Sequence, residues 1–227
     1  MGGHWAIVMG GIRIPMIADH LLTLTQWLSP AYPVGSFAWS HGLENAVSMG
    51  QVRDADSLKD WLAVVLEHGS GRSDAILLCA AHRGEEVAEL AAAVAPSRER
   101  LMETMQQGAA FAAITRAVWG PKLNGDLPDA AYPVVVGRAA AMMGLPAVAT
   151  AQVYVLSFAS ALTQAAQRLM PLGQTQGQLV LAALAPLCQA IGQAAVLQTT
   201  DDLGTCAFAI DIAAMRHETQ EPRMFRS

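Results

Sequence analysis

The sequence predicts an all-α protein, a single compact domain of about eight to ten helices. Three observations carry this. The chain of 227 residues is 53% hydrophobic and only 15% charged, against about 25% charged in a typical soluble domain, so a large part of it is core. Its apolar residues recur at helical spacing between prolines, glycines and N-cap residues. The only strand-like runs, 134–136 and 153–156, are too short and too Ala-flanked to build a sheet.

The elements follow in order. Leu21, Leu22, Leu24, Trp27 and Leu28 make a first helix that stops before Pro30, and a turn-rich stretch with Pro30, Pro33 and Gly35 follows. A second helix is expected over 40–49, closed by Gly50. Asp56 reads as the N-cap of a third, because Leu58, Trp61, Leu62 and Val65 behind it share one helix face. The Ala/Leu-rich stretch 74–94 is helical in propensity with a break at Gly84, and 97–119 is a helix opened by Pro96-Ser97 and closed by Gly120-Pro121. Residues 124–129 form a loop, and Pro133 and Pro146 each suit a first helical position. Asp201 or Asp202 is expected to cap a last helix running to about Glu218.

Composition excludes several classes. A net charge of −5 without a Lys/Arg cluster excludes a basic nucleic-acid binder. High hydrophobicity excludes a disordered chain. Cys79, Cys188 and Cys206 are too few and too scattered for a disulfide scaffold and read as small hydrophobes in a reducing compartment, which predicts the cytoplasm. Residues 1–15 are apolar and Gly-rich, but Arg13 follows the apolar stretch, whereas a secretory signal has its charge first. They are expected to be a poorly ordered extension, with Met16 an alternative start. The helical domain is then expected over 16–215, followed by a tail over 216–227.

The charge distribution poses the main alternative. Between Ala139 and Thr200, Arg168 is the only charge, and the runs on either side of it each exceed the roughly 20 residues that span a bilayer. An integral membrane protein built on 139–200 is therefore the second reading. Both runs are rich in Ala, Gln, Ser and Thr, and Pro171 and Pro186 interrupt the second, whereas membrane spans are driven by Leu, Ile, Val and Phe. The flanking loops also lack a Lys/Arg asymmetry. A core whose outer surface meets a protein partner fits better, with Arg168 the candidate for a dimer surface.

Candidate chemistry is sparse. Cys79 and His82 lie on adjacent helical turns and are two potential ligands for a soft metal, but no second pair accompanies them. His217-Glu218 lacks the second His of a metalloprotease box, since position 221 is Glu. Nucleophile-elbow, phosphate-loop and dinucleotide signatures are absent, so no enzyme and no bound metal or cofactor is expected. Two segments stand out instead. One is 29–44, where two prolines and two glycines fix a turn carrying Tyr32, Phe37 and Trp39. The other is the tail, with Arg216, Arg223, Arg226, Met224 and Phe225 in the composition of a docking peptide.

At these segments the chain resembles the UreF family of urease accessory proteins. The resemblance rests on Ser29-Pro30, Pro33, Gly35, Phe37, Ser40 and Gly42-Leu43-Glu44. It continues, in the family's order, through Pro133 to Gly137, Leu172-Gly173-Gln174-Thr175-Gln176-Gly177 and Asp201-Asp202-Leu203-Gly204. It closes on Asp211-Ile212-Ala213, Met215-Arg216-His217-Glu218, Gln220 and Arg223-Met224-Phe225-Arg226-Ser227. The chain departs from the family at Glu221-Pro222, where an aromatic and a small hydroxyl residue are usual, and at Tyr132, where His is frequent.

The resemblance implies an all-helical homodimer without catalytic activity. It implies binding to the accessory protein UreD (also called UreH), recruitment of the nickel-carrying GTPase UreG to the urease apoprotein, and coupling of GTP hydrolysis to nickel delivery, nickel being cargo. It implies partner contacts organised by Arg216, His217, Glu218, Gln220, Arg223, Phe225 and Arg226, with Pro30, Pro33, Gly35, Phe37, Ser40, Gly42, Leu43 and Glu44 as the structural turn. Neither nucleic acid nor membrane is an expected partner.

Overall fold

The structure, a computed structural model, describes residues 14–226. The expectation for the extension therefore lies outside the described residues as far as position 13. Among the described residues there are ten α-helices and no strand. They are α1 (Ile14–Trp27), α2 (Leu43–Ser48), α3 (Ala55–His68), α4 (Ser70–Arg83), α5 (Ala88–Ala93), α6 (Arg98–Trp119), α7 (Tyr132–Met142), α8 (Ala147–Leu169), α9 (Gln174–Ala195) and α10 (Phe208–His217). The all-α expectation holds, and both strand-like valine runs lie in helices, the first in α7 and the second in α8.

α8 is the central helix and packs along α9, while α4 packs on α7 and α10 on α2. Close helix approach explains the small residues. A side chain at Gly137 of α7 would run into the backbone of Leu78 in α4, so those two helices touch main chain to main chain. Rings fill the space between α1, α6 and α7. Trp27 is fully buried, edge-on to Phe111 at 5.3 Å and to Trp119 at 5.6 Å. Such edge-to-face pairs are favoured by the ring quadrupole.

Several boundaries differ from expectation for identifiable reasons. Asp54, not Asp56, caps α3: its carboxylate accepts from Ser57 N at 2.8 Å while Ser57 Oγ accepts from Asp54 N at 3.1 Å. This is a reciprocal capping box, and Asp56 falls in the first turn, where its charge suits the helix dipole. α2 begins at Leu43 because His41 and Gly42 both have positive φ, 56° and 75°, which no helix accommodates. The stretch expected as one helix over 74–94 starts earlier, at Ser70, and is cut by Gly84 at φ 96° into α4 and α5. Pro133 sits in the first turn of α7, but Pro146 is the N-cap of α8 and not its first helical residue. Asp201 and Asp202 belong to a short 3-10 turn capped by Thr199, and α10 starts six residues later at Phe208 with no side-chain cap.

The uncharged region resolves into α8 and α9. Among the described residues α9 is the one helix long and apolar enough to cross a membrane. It carries Pro186 internally and buries Val180, Leu184, Cys188 and Ile191, and a Cβ at Gly192 or Gly177 would strike Gln152 or Gln167 of α8. The two helices thus share one core, and the membrane reading is not favoured.

Candidate functional site

The two unusual segments meet. Gly35 (φ 76°) opens a 3-10 turn over Ser36–Ala38, and Ser40, fully buried, accepts from Glu44 N at 3.3 Å to start α2. Gly42 is required here twice over, by its φ of 75° and because a Cβ would lie 2.6 Å from Ala214 N of α10. This contact brings the first turn of α2 against the end of α10, and Leu43 anchors it in the core.

Glu44 is the hub. Its carboxylate accepts from Met224 N at 2.6 Å, Phe225 N at 2.9 Å and His217 Nε2 at 3.0 Å. Glu99, in the first turn of α6, takes the other ring nitrogen of His217 at 2.8 Å and Arg223 Nη1 at 2.8 Å. His217 is fully buried between the two carboxylates. Ionised carboxylates only accept, so both bonds form together when both ring nitrogens carry hydrogen. Each carboxylate also sits at the positive end of its own helix dipole.

Secondary ties seat the rest of the tail. Glu218 accepts from Arg98 N at 3.0 Å, which satisfies a free amide at the start of α6, and Asn45 donates to Gln220 Oε1 at 2.8 Å. Arg226 N donates to Ala38 O at 2.9 Å and its guanidinium to Gln106 at 3.1 Å. Phe225 is buried beneath Arg168, whose guanidinium lies 4.3 Å over the ring and donates to Phe37 O at 2.6 Å. The tail is therefore folded onto the domain, and Phe37 (74% exposed) and Met224 (57% exposed) stand out from it. Removing everything from Arg216 onward would take His217 out of the core, so a clean truncation starts at Glu221.

Burial pushes the Glu44 carboxyl up, but the Met224 and Phe225 amides and His217 outweigh it and leave it below its ordinary value of 4.5. A carboxyl lowered in the folded state contributes stability that is complete above its unfolded value and lost as pH falls through the folded one. Tail attachment is therefore expected to hold above about pH 4.5 and to weaken below it, measurable as loss of amide protection at Met224 and Phe225 on acidification.

Beside this clasp, which Glu44, Glu99 and His217 form on the tail, lies a buried charge cluster without a sequence expectation. Arg100 Nη2 donates to Asp74 at 2.6 Å and Nη1 lies 3.6 Å from Glu103, while Tyr154 donates its hydroxyl to Asp74 at 2.8 Å. Glu103 also accepts from Gln107 at 3.2 Å and lies 3.5 Å from His41. Burial raises Glu103, yet Arg100, His41 and Gln107 bring it below the usual range. For Asp74 burial wins over Arg100 and Tyr154, and its carboxyl is raised.

The remaining candidates do not converge. Burial pushes the Cys79 thiol up to about 11, away from the thiolate that binds metal, and His82 Nε2 is occupied by Leu145 O at 2.9 Å. No group of three His, Cys, Asp or Glu suited to a metal occurs among the described residues. Pro30 and Pro33 are exposed on the turn, and Arg216 is exposed at the end of α10. Sequence reasoning missed Glu99, Arg98, Asn45 and Gln106 as tail partners. Glu99 alone carried a signal, as an acid in a first helical turn, and that signal says nothing of what it binds.

Comparison with known proteins matches this sequence to one family. A family model described as UreF matches residues 52–185. A urease accessory protein UreF of Roseobacter denitrificans is 51% identical over 220 residues, covering 95% of this chain and 97% of that protein. One from Cereibacter sphaeroides is 52% identical over 210 residues (91% and 98% covered), and one from Ruegeria pomeroyi 48% over 213 residues (91% and 96%). The chain belongs to the UreF family.

Proposed function

We propose that this chain is a nickel-insertion accessory protein of urease maturation, working in the cytoplasm as a homodimer and without catalysis of its own. It bridges a UreD/UreH-type accessory protein and a UreG-type GTPase to the urease apoprotein and couples GTP hydrolysis to delivery of nickel, which is cargo and not a resident cofactor. A scaffold of this kind acts by binding one state of its partners better than another.

The observation that supports this reading best is the clasp. Glu44, Glu99 and His217 hold a short tail in one conformation through buried charge, which presents Phe37, Met224, Arg223 and Arg226 together beside the turn at 34–39. A preordered surface loses less entropy on docking than a free tail. The organising residues are Arg216, His217, Glu218, Gln220, Arg223, Phe225 and Arg226 on the tail side, over a helical domain spanning 16–215.

Deletion of 221–227 leaves His217 in place and is expected to weaken capture of the GTPase by about 30-fold, the loss of one hot spot of ~2 kcal/mol. Pull-down from co-expression with UreD-type and UreG-type partners reads this; full-strength capture by the truncated chain removes the tail from the docking surface. Arg168 is the candidate dimer contact, and its guanidinium is already bonded to Phe37 O and set over Phe225. Arg168→Glu separates the two surfaces: a shift toward monomer in sedimentation equilibrium keeps it on the dimer contact, and an unmoved equilibrium with weakened capture of the GTPase assigns it to the docking surface.

A further inference from the structure

A cavity of about 390 Å³ opens between α1, the turn at 34–39, α6 and α8, next to the seated tail. Burial orders its lining. Phe37, Leu156 and Arg168 are exposed and form its mouth; Glu103, Gln107 and Tyr132 are buried and form its inner end. The walls between are Trp39, Phe158, Val34 and Leu28. The volume lies in the range of sites that enclose an organic group of side-chain to small-ligand size.

Two polar groups at the inner end remain open to a guest. Tyr132 is only 8% exposed, and its phenol, on the cavity lining, makes no hydrogen bond to another described residue. Gln107 donates its amide to Glu103 at 3.2 Å, which leaves its carbonyl oxygen unused among the described residues. Charge, by contrast, is satisfied: Arg100 is paired with Asp74 and Glu103, and Arg168 is bonded to Phe37 O. The site thus asks for an uncharged group with a flat apolar body and one hydrogen-bonding edge.

We infer that this cavity receives a tyrosine or tryptophan side chain presented by the protein that docks on the tail-and-turn surface, its ring between Trp39 and Phe158 and its O–H or N–H at Gln107 and Tyr132. This rests on the docking role proposed above. A protein source follows from continuity: Arg168, at the mouth, lies over Phe225 of the tail and donates to Phe37 O, and the residue after Phe37, Ala38, accepts from Arg226 N. Tyr and Trp are the side chains that combine large apolar area with a polar tip, and they dominate binding where they fill desolvated pockets.

Two free side-chain analogues, p-cresol and 3-methylindole, serve as probes. Each is expected to bind the full chain saturably by NMR titration, and Tyr132→Phe is expected to weaken p-cresol about fivefold, the loss of one hydrogen bond of ~1 kcal/mol. Ala161→Phe, at a cavity-lining position of α8, is expected to abolish probe binding and to reduce capture of the GTPase about 30-fold while the homodimer persists. Ser157→Phe fills the cavity from another turn of the same helix, and p-cresol added to the wild-type complex is expected to release the partner, which requires no variant to fold. Absence of saturable probe binding overturns the inference. So does undiminished capture by a folded cavity-filled chain. Dissociation of the homodimer by Ala161→Phe assigns the cavity to a second copy and overturns it as well. Capture lost on deleting 221–227 but retained with Ala161→Phe sinks this inference and leaves the docking role standing; capture retained on that deletion sinks the docking role itself.

Discussion

Arg100→Leu is expected to destabilise the fold by about 3–5 kcal/mol, the cost of removing one partner from a buried ionic group. Arg100 is 5% exposed, and its guanidinium lies between Asp74 and Glu103, with Phe158 5.8 Å beneath it. Leucine removes the guanidinium from over Phe158 and leaves two carboxylates in the core without their cation. Asp74 is already raised by burial even with Arg100 present, so without it both groups must either protonate or hold uncompensated charge. Protonation is easier at low pH, so the deficit relative to wild type should shrink on acidification. Urea unfolding at neutral and at mildly acidic pH reads both effects. Replacing Asp74 and Glu103 by leucine alongside Arg100 is expected to recover much of the loss, because an apolar substitute for a whole buried cluster is often neutral or stabilising.

Glu44→Gln is expected to detach the tail and to cost about 3 kcal/mol, roughly one charged hydrogen bond of the upper range lost outright. The carboxylate accepts from two backbone amides and one ring nitrogen, all three of them donors. A carboxamide offers one acceptor and turns its NH2 toward the remaining donors. Phe225 then loses its seat beneath Arg168, and the end of the tail is left to the pair of Arg223 with Glu99 and the bonds of Arg226 to Ala38 and Gln106. Hydrogen exchange at Met224 and Phe225 is expected to rise to the rate of an unprotected chain end, while α8 and α9 keep their protection. Unchanged exchange at these two amides would remove Glu44 as the hub.

The helices were legible where a local rule governs them. Ser97 before α6 and the apolar spacing of Leu58, Leu62 and Val65 in α3 are decided by neighbours within one or two turns. The misplaced boundaries fell where two local signals compete. Asp54 and Asp56 are equally good cap types, and only Ser57, three residues after Asp54, separates them. The start of α2 depends on the positive φ at His41, a residue that is not glycine, and composition carries no mark of that.

The site was legible as two segments and illegible as one object. Glu44, His217, Phe225 and Arg226 stood out by motif, and their meeting depends on contacts between residues far apart in the chain, such as Glu44 with Phe225 and Arg98 with Glu218. Sequence periodicity contains no term for such pairings. Arg168 shows the same limit. Its isolation among uncharged residues marked it as unusual, but its bond to Phe37 O and its position over Phe225 follow only from folding α8 beside the turn. Asp74 carried a fainter signal, a charge directly before Ala75-Ile76-Leu77-Leu78, which requires a buried partner without saying which.

The measurement that tests the account most directly is the affinity of the Glu44→Gln chain for the UreG-type GTPase in the presence of the UreD-type partner. The whole tail sequence is retained in this variant and only its attachment is lost. If the ordered tail-and-turn surface recruits the partner, affinity falls by about tenfold or more, matching a loss of at least ~1.4 kcal/mol. Wild-type affinity from a chain whose Met224 and Phe225 amides have become unprotected would contradict it.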